Sequence, residues 1–546
     1  MARRITALAL ALLLAGCTSV PTSGPVEHHQ FDAGTYSGGV RVAALPPMEG
    51  ATQALIVEGF LHAMSVYEPD YATARMYLTE AASRSWDPGV GAQVYGQVVS
   101  EDVSVLVAEG TGRLDANGTY HADTSQIRQD FQLVQDDADQ WRISNPPEGL
   151  LISQYLFTSG HVAVNLHYQS ASSDVMVPDP VWIPDGDDSM LRALRRQFAE
   201  PSEWVAALVD FIPGVEVLSA TAAADLVTIE LGGTAIGMGD TERSVVAAQL
   251  ALTCAQFGSY TRIAVTANGS PWLLAGYPDA VVPISLFAGQ APISRATNPE
   301  LYAVSAGDLV RVGAEDKLFP VGKSDALALA VSADRSRVAT VSADGATVAV
   351  DADVVRTGAG LLRPAYSRFG ELWTVEASGL ASLQVTADSG PLQVGLPDDL
   401  PQGAVQAFSI APDASRVAVA IQTEQGPAVG LLRVGRGAGE ITLDGWLPVG
   451  LSLQVVRVLD VGWSQTTELV LLVAGQNDAT WVLRSTQDSA RISDIGPSNS
   501  SGLVELAAAP GYQTVVRTAG GTVYHYDSGS SWTLWLTGLS AVGYAG

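Results

Sequence analysis

The residue with the clearest chemistry is Cys17, which ends the stretch Leu14-Ala15-Gly16-Cys17 after an apolar run. A branched apolar residue and two small residues directly before a cysteine are typical of a bacterial lipobox. The small side chains let a signal peptidase approach the backbone, and the cysteine sulfur takes a diacylglyceryl group before cleavage. We therefore predict cleavage between Gly16 and Cys17, with Cys17 S-diacylglycerylated and N-acylated.

The segment before the lipobox favours export. Arg3 and Arg4 form a short positive start, and an apolar run from Ile5 to Ala15 follows. That run is shorter than the ~20 residues that cross a bilayer as a helix, and it suits a signal peptide over residues 1–16. Two acyl chains hold a protein on a membrane at ~0.8 kcal/mol per buried methylene. We expect a lipid-anchored protein on the extracytoplasmic face of the cell membrane; the alternative is an ordinary signal peptide with a chance cysteine.

The other residues that could bind a metal or form a disulfide are scattered. His28 and His29 are adjacent, so their side chains diverge, and no third ligand is near. His161 and His167 are six residues apart on a predicted strand, ~20 Å, and cannot share one metal ion. Cys254, in SVVAAQLALTCAQF, is predicted to be a buried small apolar residue. We predict no metal, no cofactor and no disulfide.

Catalytic motifs are also missing from the sequence. HExxH, GxSxG and P-loop patterns do not occur. The carboxylate pairs Asp136-Asp137 and Asp187-Asp188 lie in polar stretches and are most simply solvated surface. We predict that the chain has no catalytic residues and is not an enzyme.

The charge of the chain excludes one class of partner. Asp and Glu total 57 against 29 Lys and Arg, a net charge of −28. Nucleic-acid binding requires a basic face that neutralises phosphates, so it is not expected here. Loss of Arg3 and Arg4 with the leader makes the mature charge more negative still. Anionic headgroups would repel such a surface, so the lipid must provide the anchoring.

The chain length of 546 residues predicts two to four domains. Residues 17–45 are rich in Ser, Thr, Gly and Pro and are predicted to be a flexible tether behind the lipid. Residues 46–152 show two helical stretches and then alternating strands, which predicts an α+β domain, and Asn117-Gly118 predicts a hairpin turn between two of the strands. This order is similar to the NTF2-like group. Without a paired Asp and His in the segment, a non-catalytic scaffold is the favoured interpretation.

Residues 153–288 form a second predicted α+β domain. The stretches IPGVEVLSA and LVTIEL read as strands, a helix ending in AQF follows, and RIAVTANGSP reads as a further strand. The order of these pieces resembles the GerMN domain of sporulation and germination proteins. That resemblance implies an exported envelope protein but supplies no chemistry for any residue.

Residues 289–546 contain a repeat made of strands and turns. Its motifs lie around Ser332, Ser367, Ala411, Ser464 and Ala509, at intervals of 35, 44, 53 and 45 residues. Such periods are typical of four-stranded propeller blades. LSAVGYAG at the C-terminal end and LYAVSAGDLVRVG from Leu301 each look like part of a blade, so joining them would close the ring. We predict about six blades, with five or seven possible and a pair of β-sandwiches as the alternative.

The order of lipobox, tether, NTF2-like domain, GerMN-like domain and propeller resembles the actinobacterial lipoprotein family called LpqB. The resemblance covers essentially the whole chain. It implies a partner in the MtrA–MtrB two-component system, namely the extracellular sensor part of the histidine kinase, whose signalling on cell-wall and division state the protein would tune. It gives no motif on which to place a contact residue. A sensor of a peptidoglycan fragment or lipid precursor, and a structural envelope component, remain as alternatives.

Overall fold

The computed structural model describes residues 43–99, 102–293, 300–452, 454–497 and 502–546. Gly16, Cys17, the predicted signal peptide, His28 and His29 lie outside these residues. Within the described ranges, no helix combines the length and the apolar character needed to cross a bilayer.

The first region begins with an amphipathic helix. Thr52 caps it by accepting a hydrogen bond from the backbone N–H of Leu55 at 3.4 Å. The helix buries Ile56, Phe60 and Met64, which are spaced four residues apart and so share one face. The helices are α1 (Gln53–Ser65), α2 (Ala72–Arg75) and α3 (Glu80–Ser85).

The strands that follow form one main sheet and a small hairpin. The sheet has the order β3-β2-β1-β7, with β4 also paired to β2, and β7 runs parallel to β1. Helices followed by mostly antiparallel strands are the order predicted from the sequence. The strands are β1 (Gly91–Val98), β2 (Val105–Asp115), β3 (Tyr120–Ala122), β4 (Gln126–Asp130), β5 (Leu133–Gln135), β6 (Trp141–Ile143) and β7 (Leu150–Ser153).

The second region starts with α4 (Gln154–Gly160) and contains two sheets, with the orders β10-β8-β9 and β11-β12-β13-β14; β15 also pairs with β13. Strands β12 and β13 run parallel, and the long helix between them makes the crossover that parallel pairing requires. Cys254, at the end of that helix, is fully buried, as predicted. The elements are β8 (His161–Ser170), β9 (Met176–Pro184), α5 (Ser189–Gln197), α6 (Glu203–Ala206), β10 (Val209–Asp210), β11 (Val215–Ala223), β12 (Leu226–Gly233), α7 (Asp240–Cys254), β13 (Arg262–Ala267), β14 (Ser270–Pro271) and β15 (Val281–Pro283).

The C-terminal region consists of antiparallel strands in successive groups of four. One sheet has eight strands, because the outer strands β26 and β30 of two neighbouring groups pair in parallel. The strands are β16 (Leu301–Ser305), β17 (Asp308–Val312), β18 (Leu318–Lys323), β19 (Ala328–Val331), β20 (Val338–Val341), β21 (Thr347–Val350), β22 (Asp353–Thr357), β23 (Ala365–Tyr366), β24 (Leu372–Glu376), β25 (Gly379–Ala387), β26 (Gly390–Gly395), β27 (Ala404–Ile410), β28 (Arg416–Thr423), β29 (Gly426–Gly437), β30 (Glu440–Val449), β31 (Arg457–Gln465), β32 (Glu468–Ala474), β33 (Thr480–Thr486), β34 (Ile492–Gly496), β35 (Leu503–Ala507), β36 (Val515–Thr518), β37 (Val523–Ser528), β38 (Ser531–Leu536) and β39 (Leu539–Tyr544).

The two ends of this region meet in one sheet. Strand β39 pairs antiparallel with β16, where Ala303 lies opposite Val542. The predicted joining of the segment from Leu301 with the C-terminal strand is therefore confirmed. The inner strands also contact one another in a closed cycle, β39 to β19, β23, β27, β31, β35 and back to β39. Each group thus packs its apolar faces between two neighbours.

Candidate functional site

The histidines singled out in the sequence are buried side chains of strand β8. His161 and His167 are each only 6% exposed. Burial lowers the pKa of His161 to about 4 and that of His167 to about 3, so both are neutral near pH 7. His167 Nδ1 lies 3.3 Å from the hydroxyl of Thr253. The alternation of residues along β8 correctly placed the two histidines on the opposite face of the strand from Val164 and Leu166. Helices also cover the face that carries the histidines, so both histidines are buried.

The predicted surface carboxylates lie mostly where expected. Asp137, Asp187 and Asp188 are exposed. Asp136 is half-buried and organises its turn by accepting hydrogen bonds from the backbone N–H groups of Ala138 and Gln140. Across the described ranges, His, Cys, Asp and Glu side chains form no group of three or more that could hold a metal ion.

The expectation that residues 46–152 contain no paired Asp and His is wrong. His121 Nε2 lies 3.3 Å from Asp115 Oδ2, because the β2–β3 hairpin brings the two side chains together.

Residues 487–491 form the loop between β33 and β34, which contacts all three regions and which we call the wedge loop. It belongs to the C-terminal region, yet Ala490 is buried in the hydrophobic core of the first region. The side-chain amide of Gln154 donates to the carbonyl of Ala490 at 2.7 Å. The wedge loop therefore completes a core that the first region does not fill alone. All of these contacts lie within the compact unit of residues 36–546.

Trp182 on β9 joins all three regions at the wedge loop. Its indole N–H donates to Asp488 Oδ2 at 2.8 Å, and its backbone N–H donates to the carbonyl of Gly118 at 2.8 Å. The Trp182 ring lies 4.8 Å from the ring of Phe157 and 5.3 Å from the guanidinium carbon of Arg491. A fully buried tryptophan with its N–H paired and a cation on its face is held in a single orientation.

Gly118 has a specific role at this contact. Its φ is +81°, and a Cβ placed there would lie 2.9 Å from the carbonyl oxygen of Trp182. A side chain would therefore strain the turn and push the two regions apart. The hairpin turn that Asn117-Gly118 predicts is confirmed by the pairing of β2 with β3.

The electrostatics of the wedge loop are set by burial. Asp488 is buried, and desolvation raises the pKa of its carboxyl although Trp182 and the N–H of Ala490 donate to it. Arg416 and Asp413 form an ion pair with both side chains fully buried. Arg416 also donates to the carbonyl of Thr466 at 3.1 Å and to the side-chain oxygen of Gln487. This buried arginine therefore supports the base of the wedge loop.

A second buried charge network joins the inner strands of the C-terminal region. Arg363, just before β23, reaches Asp460 on β31 and donates to the carbonyl of Leu506 on β35 at 2.6 Å. Glu505 accepts from Arg517 at 2.6 Å and from the N–H of Val542 on β39 at 3.1 Å. Burial raises the pKa of both Asp460 and Glu505. Each carboxylate has its own arginine, so the network ties strands together and keeps both carboxylates paired.

Two surface clefts are lined by residues that take no part in these networks. The amide cleft, of about 570 Å³, is lined by Gln402, Gly403, Gln422, Thr423, Glu424 and Gln425. In that cleft, Gln422 Oε1 is buried and makes no hydrogen bond to any described residue. The entry groove, of about 510 Å³, is lined by residues 50–54 together with Val103, Asp139 and Trp141.

Sequence reasoning missed the wedge loop because its signal is not local. The segment 487–490 reads as an ordinary polar turn between two strands. Its partner Trp182 is 306 positions away from Asp488 in the chain. The periodicity of β9 reports which face of that strand is apolar and not what covers it, so no pattern in either segment points to the other.

Comparison with known proteins identifies related chains over the whole length. Three family models match: "Lipoprotein LpqB, N-terminal domain" over residues 46–158, "Sporulation and spore germination" over residues 165–272, and "Lipoprotein LpqB beta-propeller domain" over residues 301–542. The C-terminal region is thus a β-propeller domain and the second region a GerMN-type domain.

Two relatives named Lipoprotein LpqB align along nearly the full chain. The protein from Cutibacterium acnes is 30% identical, covering 99% of this chain and 98% of its own. The protein from Thermobifida fusca is 25% identical, with the same coverage of 99% and 98%. Among solved structures, a chain of a nidogen/laminin complex is 9% identical with a TM-score of 0.33, covering 45% of this chain and 98% of that chain. A likeness that low carries no argument about function.

Proposed function

Because the chain belongs to the Lipoprotein LpqB family, we propose that it is an accessory lipoprotein, anchored through Cys17 on the extracytoplasmic face of the cell membrane. There it binds the extracytoplasmic part of a sensor histidine kinase, of the MtrB type, and modulates its signalling in cell-envelope and division homeostasis. The protein acts by binding and not by catalysis.

The observation that supports a binding role is the union of the three regions at Trp182 and Asp488. Two buried ion pairs support the fold. Arg416, paired with Asp413, also donates to Thr466 and Gln487, and the Arg517–Glu505 pair joins β36 to β35. A body of this kind presents a fixed surface to a partner, and fixed surfaces lose less conformational entropy on binding.

The finer architecture is part of the same proposal. We assign residues 1–16 to the signal peptide, 17–45 to the tether, 46–152 to an NTF2-like domain, 153–288 to the GerMN-like domain and 289–546 to the propeller. Six blades are favoured, because the inner strands β19, β23, β27, β31, β35 and β39 contact one another in a closed cycle. The helices α1–α3 before a mostly antiparallel sheet support the NTF2-like assignment.

A lipid anchor explains how a modest affinity would suffice. Confinement to the layer beside the membrane raises the effective concentration of the protein against membrane receptors. A partner that prefers one state of a two-state kinase shifts the equilibrium by its difference in affinity for the two states. A difference of a few kcal/mol is enough to change kinase output.

The test is the Cys17→Ala variant, with Cys254→Ala as the matched control. Cys17→Ala should release the protein from the membrane fraction and abolish its effect on kinase autophosphorylation in cells. Cys254 is buried, so its variant should stay membrane-bound and active. Undiminished kinase modulation by the released form would contradict the proposal.

A second candidate function, a sensor of cell-wall fragments, is favoured by the amide cleft. Gln422 Oε1 is a buried acceptor without a partner among the described residues, and side-chain amides and carboxylates suit the hydroxyl and amide groups of a muropeptide. Pull-down from a muropeptide mixture with the intact protein and with Gln422→Leu tests this function. Retention that the substitution abolishes would support it, and no retention by either protein would exclude it.

A further inference from the structure

The entry groove lies close to the start of the described chain. Val103, which lines it, is 50% exposed. Met48 and Leu55 flank its lining residues 50–54 in the chain and are 67% and 44% exposed. Large apolar residues that are exposed together beside a cleft are typical of interaction surfaces. We propose that the entry groove docks a cationic segment with apolar anchors from an extracytoplasmic part of a membrane protein, an inference that rests on the proposed function.

The walls of the entry groove are formed before any partner arrives. The N–H of Gly50 donates to Gln140 Oε1 at 2.6 Å, which fixes the turn before α1 against the β5–β6 hairpin. The N–H of Ala51 donates to the carbonyl of Met48 at 3.2 Å and closes that turn. A preformed groove spares the partner part of the ordering cost of binding.

The charge around the groove selects the chemistry of its occupant. Asp139 lines the groove, and Glu49 and Asp102 directly precede its lining residues Gly50 and Val103; all three carboxylates are exposed. Hydrogen bonds from the N–H and hydroxyl of Ser104 lower the pKa of Asp102, so this carboxylate stays ionised. Residues 43–152 contain sixteen Asp and Glu, five Arg and no Lys. Opposite charge favours a Lys- or Arg-bearing segment and disfavours an anionic lipid surface.

The position of the groove in the chain limits how far from the membrane its partner can lie. The hydroxyl of Tyr77 donates to the carbonyl of Leu45 at 2.8 Å and holds the start of the described chain on the domain. Twenty-six positions separate Cys17 from Ala43. Under the proposed anchor and flexible tether, a chain of that length has a root-mean-square end-to-end distance of roughly 30 Å. The groove is therefore within reach of the membrane-proximal part of a receptor.

Site-specific photocrosslinking in cells expressing the full chain tests the proposal. p-Benzoylphenylalanine is placed at Met48, two residues before the groove-lining Gly50, or at Val355 on β22, which is 50% exposed and serves as the control. We expect Met48 to crosslink to a Lys- or Arg-containing extracytoplasmic segment of a membrane protein, identified by mass spectrometry, and Val355 not to do so. Val103→Asp should lower the yield roughly tenfold, whereas Val355→Asp should leave it unchanged.

Other outcomes would overturn the proposal. A crosslink to residues 18–42 of the same chain would show that the tether fills the groove. Crosslinks only to lipid, to a second copy or equally from Val355 would also contradict it. Kinase autophosphorylation distinguishes failure of the proposed function from failure of the docking site. If deletion of the protein leaves autophosphorylation unchanged, the proposed function is wrong. If deletion changes it but Val103→Asp does not, the docking site is wrong.

Discussion

The indole N–H of Trp182 donates to the buried carboxylate of Asp488 at 2.8 Å, and this single hydrogen bond joins strand β9 of the second region to the wedge loop of the propeller. Ala490, two residues later, lies in the core of the first region. The three regions therefore share one contact, whose loss should affect more than the two residues that make it.

Replacing Asp488 by Ala should weaken this contact. The substitution leaves the Trp182 indole N–H buried without an acceptor, which costs about 1–3 kcal/mol. Urea unfolding at pH 7 should show this decrease in the free energy of unfolding. Asp137→Ala, at an exposed position, is the control and should change the free energy little; equal effects of the two substitutions would contradict the assigned role.

Gly118→Ala should destabilise the same contact from the other side. The new Cβ would lie 2.9 Å from the Trp182 carbonyl oxygen at a φ of +81°. We expect a loss of about 1–3 kcal/mol from backbone strain, measured by thermal or urea unfolding. Gly269 has a similar φ of +70°, but a Cβ there would meet no atom within 4 Å. Gly269→Ala should therefore cost less, and the difference between the two losses of unfolding free energy measures the steric contribution at Gly118.

The stability of the second region should fall as the pH is lowered through the range in which an unperturbed histidine side chain takes up a proton. Burial lowers the pKa of His167 to about 3. In the unfolded chain His167 takes up a proton near pH 6.5, whereas in the folded protein it stays neutral down to about pH 3. The free energy of unfolding is therefore highest above pH 6.5 and decreases as the pH falls below that value. Between pH 7 and pH 5 the loss from His167 should be about 2 kcal/mol. His167→Gln should flatten this dependence in urea unfolding, while Val355→Ala, at an exposed position without a titratable group, should leave it unchanged.

The Glu505–Arg517 pair should show strong coupling in a double-mutant cycle. Both side chains are at most 10% exposed, so the single substitution Glu505→Leu leaves a buried guanidinium without its partner, at a cost of about 3–5 kcal/mol, and Arg517→Met likewise leaves a buried carboxylate. The double variant Glu505→Leu with Arg517→Met should recover most of that loss, because it removes both charges. Additive losses in urea unfolding would show that the pair does not act as a unit.

Periodicity and turn residues predicted the parts of the fold that depend on local pattern. These parts are the strand repeat, the buried Cys254 and the pairing of the Leu301 segment with the C-terminal strand. The parallel pairing of β26 with β30 was not predicted, because nothing in either strand specifies a neighbour in another group. The wedge loop was not predicted for the same reason, because Asp488 contacts Trp182 only once distant regions have folded together.

The pairing of β39 with β16 also sets the order of events during synthesis. Strand β16 ends at Ser305 and β39 begins at Leu539, so every other strand of the ring leaves the ribosome while β16 still has an open edge. A nascent chain in that condition is slow to become compact. Under the proposed export, delayed compaction would keep the chain able to pass through a translocation channel, and the ring would close after passage.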